Sequence, residues 1–183
     1  MTQHMTSTAP TSPISRSRGE ILRDVSDAAD RRRDGALPLD VDGVAAAFRD
    51  ELDLLGALQL RWHTRLAGRI DRELAHQPLD LEAAVVSAWH ATADELPGIR
   101  AVVDRHRDHP LDDAMARAMA TATRKERTWL AVMAGQSGLA DPRAHVVGEA
   151  IEEKARATHR PRPTSHRDEP KSLVSRIRAA LAA

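Results

Sequence analysis

The stretch that decides the fold is DGVAAAFRDELDLLGALQLRWHTRLAGRIDRELA, residues 42–75. Its large apolar residues recur at steps of three and four, which places them along one face of an α-helix. They are Val44, Phe48, Leu52, Leu55, Leu58, Trp62, Leu66, Ile70 and Leu74. Asp40 or Asp42 is suited to cap such a helix at its N-terminus. The pattern predicts one long helix of about 50 Å that ends near Ala75 and supports the rest of the fold.

Further helices are predicted on both sides of this segment. Residues 20–33 have a thin apolar edge and many charges, and Gly35 and Pro38 break the chain after them. Apolar spacing predicts four more helices, over residues 80–96, 99–109, 112–134 and 141–159. Asp80, Asp112 and Asp141 are the expected N-caps of three of them. The short connections favour antiparallel neighbours.

The predicted fold class is all-α, a single bundle of four to six helices around the long helix. Trp62, Trp89 and Trp129 fall in three different helices, and we expect them to meet in one core because indoles bury large apolar areas. The predicted domain organisation has five parts. They are a disordered arm (1–19), a short charged helix and linker (20–39), the helical bundle (40–159), a Pro-rich linker (160–171) and an amphipathic C-terminal helix (172–183).

Composition limits the possible functions. The chain has no cysteine, which excludes disulfides, thiolate nucleophiles and Cys-ligated metals. No signal peptide or transmembrane segment is predicted, so we expect a cytoplasmic protein, and the Ala- and Arg-rich composition is typical of bacterial genes with high GC content. Residues 40–153 hold 13 basic and 20 acidic side chains, a net of −7, whereas residues 154–183 carry +6. An acidic body is therefore joined to a basic tail.

Motifs for catalysis are missing from the sequence. There is no Gly-x-Ser-x-Gly elbow, no phosphate-binding loop with its lysine and no dinucleotide-binding fingerprint. We therefore predict a protein that is not an enzyme and that needs no cofactor.

Metal binding is the first alternative. Glu73 and His76 have the Glu-x-x-His spacing that ferritin-like iron proteins use, and Glu126 lies on the apolar face of another predicted helix. These three residues are the candidate metal ligands. The motif occurs once here, whereas di-iron bundles use it twice.

A structural interpretation of the two glutamates stands beside the metal hypothesis. A buried carboxylate must be paired, hydrogen-bonded or protonated. Glu73 and Glu126 are therefore also expected to pair with an arginine of a neighbouring helix, or to lie near a helix end in water. The candidate arginines are Arg65, Arg69 and Arg100.

The two amphipathic ends of the chain suggest the function. The candidate partner-binding residues of the C-terminal helix are Leu173, Val174, Ile177, Arg178 and Leu181. A Pro-spaced tether ending in such a helix is suited to docking in a groove, either on its own bundle or on another protein. We predict a non-enzymatic interaction or regulatory protein that docks a protein partner through its terminal helices, and it is a possible homo-oligomer. Binding of DNA by the basic arms is a further alternative, which the acidic body disfavours.

Overall fold

The computed structural model describes residues 16–161, and within this range the chain is helical without any strand. Seven helices are present there: α1 (Arg18–Arg32), α2 (Val44–Ala47), α3 (Glu51–Ala75), α4 (Leu81–Glu95), α5 (Pro97–Asp108), α6 (Asp113–Met133) and α7 (Ala144–Thr158). The all-α prediction is confirmed for this part of the chain. The predictions for residues 1–15 and 162–183 lie outside it.

The long helix starts later than the sequence analysis predicts. The single turn α2 ends at Ala47, Phe48 is extended (φ −125°, ψ 136°), and α3 begins at Glu51. Its N-cap is Asp50, whose carboxylate accepts a hydrogen bond from the Asp53 amide, so the predicted caps Asp40 and Asp42 are wrong. With 25 residues, α3 is about 37 Å long instead of about 50 Å.

The last described helix also starts later than predicted. Asp141 was expected to cap it, but α7 begins at Ala144. The Asp141 carboxylate instead accepts hydrogen bonds from the Arg143 amide and the Ser137 hydroxyl, both 2.8 Å long. Asp141 therefore stabilises the turn that leads into α7.

Four helices, α3, α4, α6 and α7, pack around a common core. A short loop makes α4 antiparallel to α3. Helix α7 runs antiparallel to α6, with Gly148 against Arg127 and Ala144 following the end of α6. In contrast, α3 and α6 run parallel, because their N-termini lie together around Leu52 and Met115, and Gln59 meets Glu126 further along both helices.

Helix α5 joins this group to α1. Gly98 of α5 lies against the α1 backbone so closely that a Cβ would be 2.1 Å from the carbonyl carbon of Ala29. Its amide donates a 2.7 Å hydrogen bond to Asp30. Ile21 and Val25 of α1 are buried in the same hydrophobic core as the residues of α3–α7. The charged N-terminal helix is therefore packed on the bundle through its apolar edge.

Two of the three tryptophans meet in the centre of the core. Trp62 of α3 and Trp89 of α4 are 0% and 3% exposed, and their rings are 5.9 Å apart in an edge-to-face arrangement. Trp129 of α6 is half-buried at the margin of the core, where its ring packs 5.1 Å from that of His63. Between residues 16 and 161, none of the helices combines the length and apolar character needed to cross a membrane.

Candidate functional site

The structure does not bring the three predicted metal ligands together. Glu126 is buried against Gln59 and Trp62 in α3, whereas Glu73 is half-buried near the end of that helix and His76 is its exposed C-cap. Trp62 and Glu73 are 11 residues apart, which is about 16 Å along the helix. Among residues 16–161, no group of three His, Asp or Glu side chains is placed to hold a metal ion.

Glu126 is instead held by neutral and charged donors. The Trp62 indole donates a 3.1 Å hydrogen bond to Oε1, and the Gln59 amide donates a 3.0 Å bond to Oε2. Arg100 Nη1 of α5 lies 3.5 Å from Oε1, at ion-pair distance but without hydrogen-bond geometry. The Arg100 guanidinium also lies 4.8 Å above the Trp62 ring, in a cation–π contact. The expected pairing of Glu126 with an arginine is thus confirmed, with Arg100 as the partner.

Arg100 begins a chain of ion pairs that crosses from α5 to α7. It pairs with Asp104, which receives two hydrogen bonds of 2.9 and 2.7 Å from Arg156. Burial alone raises the pKa of the Asp104 carboxyl, but the hydrogen bonds from Arg156 and the charge of Arg100 outweigh it and lower the pKa to about 2. Arg156 also donates to Glu152. The buried charges in this part of the bundle therefore neutralise one another.

The same network continues onto α6. Glu152 is 3% exposed and accepts a 2.9 Å hydrogen bond from Arg127, which donates another of 2.6 Å to Glu149. Burial raises the pKa of Glu152, yet hydrogen bonds from Arg127 and Arg156 lower it overall. The hydrogen bonds from Arg127 to Glu152 and Glu149 stabilise the packing of α6 on α7.

Two histidines that follow tryptophans in the sequence contact different partners. His63 packs on Trp129, whereas His90 Nε2 lies 2.7 Å from the carbonyl oxygen of Ala155 in α7. Next to His90, His159 Nε2 is 3.0 Å from a carboxylate oxygen of Asp94, and it packs on Trp89. This cluster fixes the end of α7 on α4.

The basic residues near the N-terminus also have acidic partners within the chain. Arg18 donates hydrogen bonds of 3.2 and 2.9 Å to Asp53, and Arg32 donates bonds of 2.7 and 2.5 Å to Asp40. The hydrogen bonds from Arg18 lower the pKa of Asp53 to about 2. These two arginines serve to attach α1 to the following segment.

One surface of the bundle is open and mainly apolar. It is a cleft of about 320 Å³ between α3 and α6, which we call the α3–α6 groove. Its lining residues are Leu52, Leu55, Gly56, Gln59, Leu60, His63, Ala118, Met119, Ala122, Lys125 and Glu126. Leu60 is 65% exposed, and a Cβ at Gly56 would meet no atom within 4 Å. The groove therefore presents hydrocarbon and an uncovered stretch of helix backbone to the outside.

The sequence analysis did not predict this groove. Leu52, at the edge of the core-facing stripe, is followed at steps of four by the exposed positions Gly56 and Leu60, and this spacing was a signal in the sequence of an apolar strip beside the stripe on α3. Its position opposite Ala118 and Ala122 depends on the parallel packing of α6, which no local pattern encodes.

No protein-family model matches this chain, and comparisons with curated proteins and with solved structures found no match either.

Proposed function

We propose that this chain is a non-enzymatic interaction protein with a regulatory role, and that its α3–α6 groove binds an amphipathic helix of a protein partner. The observation that carries this proposal is the exposure of Leu60 in the wall of an apolar groove. Exposed apolar clefts flanked by two parallel helices are suited to receive the apolar side of a third helix.

The arrangement of charge supports the same function. Buried carboxylates such as Glu126 and Glu152 are occupied by donors from neighbouring helices, so they act as structural ion pairs. The groove is left with mostly aliphatic walls, and polar groups such as Lys125 lie at its edge. Binding by apolar contact with a polar rim is the usual anatomy of a protein interface.

The terminal helices of the sequence analysis have different places in this proposal. The apolar edge of α1 is buried, with Ile21 and Val25 at 4% and 0% exposure. The C-terminal segment with Leu173 and Ile177 lies outside the described residues, and we retain it as a second proposed partner-binding region. No observation within residues 16–161 favours the iron-binding or the DNA-binding alternative.

A photo-crosslinking experiment tests the groove. A photoreactive amino acid replaces Leu60 in the groove, and in a control protein it replaces Leu139, which is 82% exposed in the loop before α7. In cells of the source organism, position 60 is expected to give a crosslinked species of higher mass with one defined protein, and position 139 is not. Identical products from the two positions would contradict the proposal.

A further inference from the structure

We propose that the α3–α6 groove is occupied by the C-terminal segment of the same chain, residues 172–183, until a partner displaces it. This inference rests on the proposed function, because it requires that the groove accepts an amphipathic helix. The new element is that, before a partner binds, the groove holds a segment of its own chain. The protein would then regulate its own binding surface, since the groove and the apolar side of the segment cover each other.

The dimensions of the groove and of the segment agree. The groove follows α3 from Leu52 to His63, which is about 16 Å of helix. A helix over residues 172–183 would be about 18 Å long. Its apolar residues Val174, Ile177 and Leu181 are spaced by three and four and would form one side. On α3, Leu52, Gly56 and Leu60 give the matching two-turn repeat.

The described chain ends at a point from which the segment can reach the groove. His159 is fixed on α4 by Asp94 and Trp89, and α4 packs against α3. The groove lies between α3 and α6, so a path from α4 across α3 covers about two helix diameters, or roughly 20 Å. Residues 162–171 span up to about 33 Å when extended. This length allows the crossing and also some displacement along the helix axis.

Charge favours the same pairing. At one end of the groove the N-termini of α3 and α6 meet, and their side chains there include Asp50, Glu51 and Asp112. The opposite end carries Lys125. Lys171 lies directly before the proposed helix, so its positive charge selects the orientation in which the segment enters from the acidic end.

Disulfide trapping in the full chain tests this inference directly, because the chain contains no cysteine of its own. One protein carries Ala118→Cys in the groove together with Ala180→Cys in the segment. The matched control carries Ala150→Cys, on the exposed surface of α7, with the same Ala180→Cys. Ala150 lies in the helix from which the segment departs, so a segment without a docking site would meet it at least as often.

The expected result is an intramolecular disulfide that forms with oxidised glutathione about tenfold faster at position 118 than at position 150. Ile177→Glu, in the middle of the apolar side, should remove this difference, whereas Ser175→Glu on the opposite side should leave it. Equal rates at positions 118 and 150 would overturn the inference. A disulfide between two chains would overturn it as well, because the occupant would then be a second copy.

The crosslinking experiment at Leu60 separates this inference from the proposed function. A defined partner at position 60 together with equal trapping rates would retain the groove as an interaction site and reject its intramolecular occupant. Fast trapping at position 118 without any crosslinked partner would support the intramolecular contact and reject the proposed function.

Discussion

At the scale of single residues, Glu126 shows how a charge is accommodated inside this bundle. Its carboxylate is 8% exposed and is contacted by Gln59, Trp62 and Arg100. Removing one member of a buried ion pair destabilises a protein because the remaining charge and donors lose their partners. Glu126 lines the groove, but its contacts show that it stabilises the fold.

Replacement of Glu126 tests this role. Glu126→Ala leaves Arg100 and the Trp62 indole without their acceptor, and we expect the free energy of unfolding to fall by about 3 kcal/mol. Glu126→Gln retains an acceptor oxygen and should lose less. The measurement is urea denaturation followed by tryptophan fluorescence. Glu73→Gln, at a half-buried position of α3, is the control and should change stability by less than about 0.5 kcal/mol. Equal stability of Glu126→Ala and the wild type would refute the structural role.

The sequence predicted part of this arrangement. An acidic residue on an apolar helix face requires a partner, and Arg100 was among the candidate arginines of neighbouring helices. The contributions of Gln59 and Trp62 were not predictable, because they depend on the parallel register of α3 and α6. A local pattern fixes the face on which a residue lies, whereas the neighbour of that face is set by packing of the whole chain.

At the scale of elements, the presence of each helix was easier to predict than the residue at which it begins. Several acidic residues compete as caps before α3, and the sequence analysis chose Asp40 or Asp42 where the chain uses Asp50. Apolar spacing did not exclude the earlier start, because Val44 and Phe48 continue the stripe and are buried by α2 and the turn after it. At α1, Ser17 and Glu20 form a capping box, a signal that the sequence contains and that fixes the start at Arg18.

The ion pairs between α5 and α7 make stability depend on pH. The pKa of Asp104 is about 2 in the folded protein, and an unfolded chain titrates this carboxyl near pH 4. Below about pH 4 the unfolded state therefore binds more protons than the folded state. The stabilisation by Asp104 is fully present above that pH, and it is lost as the pH falls towards about 2.

Asp104→Asn measures this contribution. At about pH 7 the variant should be less stable than the wild type, because Arg100 and Arg156 lose a charged partner. Between about pH 4 and pH 2 the difference in unfolding free energy should shrink by about 2 kcal/mol, since the wild-type carboxyl becomes protonated. Denaturant titrations at several pH values provide the measurement. A difference that stays constant with pH would show that Asp104 is not the group responsible.

Gly148 tests how closely α6 and α7 pack, and Gly68 of α3 is its control. A Cβ at Gly148 in α7 would lie 1.7 Å from the carbonyl oxygen of Arg127, so Gly148→Ala must push the helices apart. We expect it to lower the unfolding free energy by about 3 kcal/mol, as overpacking does. Gly68 of α3 is exposed with no atom within 4 Å of a Cβ, and Gly68→Ala should stabilise by about 1 kcal/mol. Thermal unfolding of both variants checks whether stability falls in Gly148→Ala and rises in Gly68→Ala. A destabilised Gly68→Ala would contradict the expectation.

At the scale of the whole molecule, α1 belongs to the same core as the helices that carry the tryptophans. Its apolar residues pack on α5, and α5 in turn contacts α3, α4 and α6. Sequence analysis treated residues 20–39 as a separate segment because the thin apolar edge and many charges of this helix resemble those of a peripheral element. The backbone contact at Gly98 explains how so thin an edge is buried, since the absence of a side chain brings α1 against α5.

This continuity predicts that α1 unfolds together with the rest of the described structure. Val25 is 0% exposed, and Val25→Ala should lower the unfolding free energy by about 2 kcal/mol through lost apolar contact and the cavity left behind. The three tryptophans lie in α3, α4 and α6, so their fluorescence reports on helices other than α1. If the core is cooperative, the fluorescence transition in urea shifts to lower concentration and coincides with the loss of helical circular dichroism. Leu139→Ala, at an exposed loop position, should leave both transitions in place. An unchanged fluorescence transition in Val25→Ala, with an earlier partial loss of helix signal, would mean that α1 unfolds independently of the bundle.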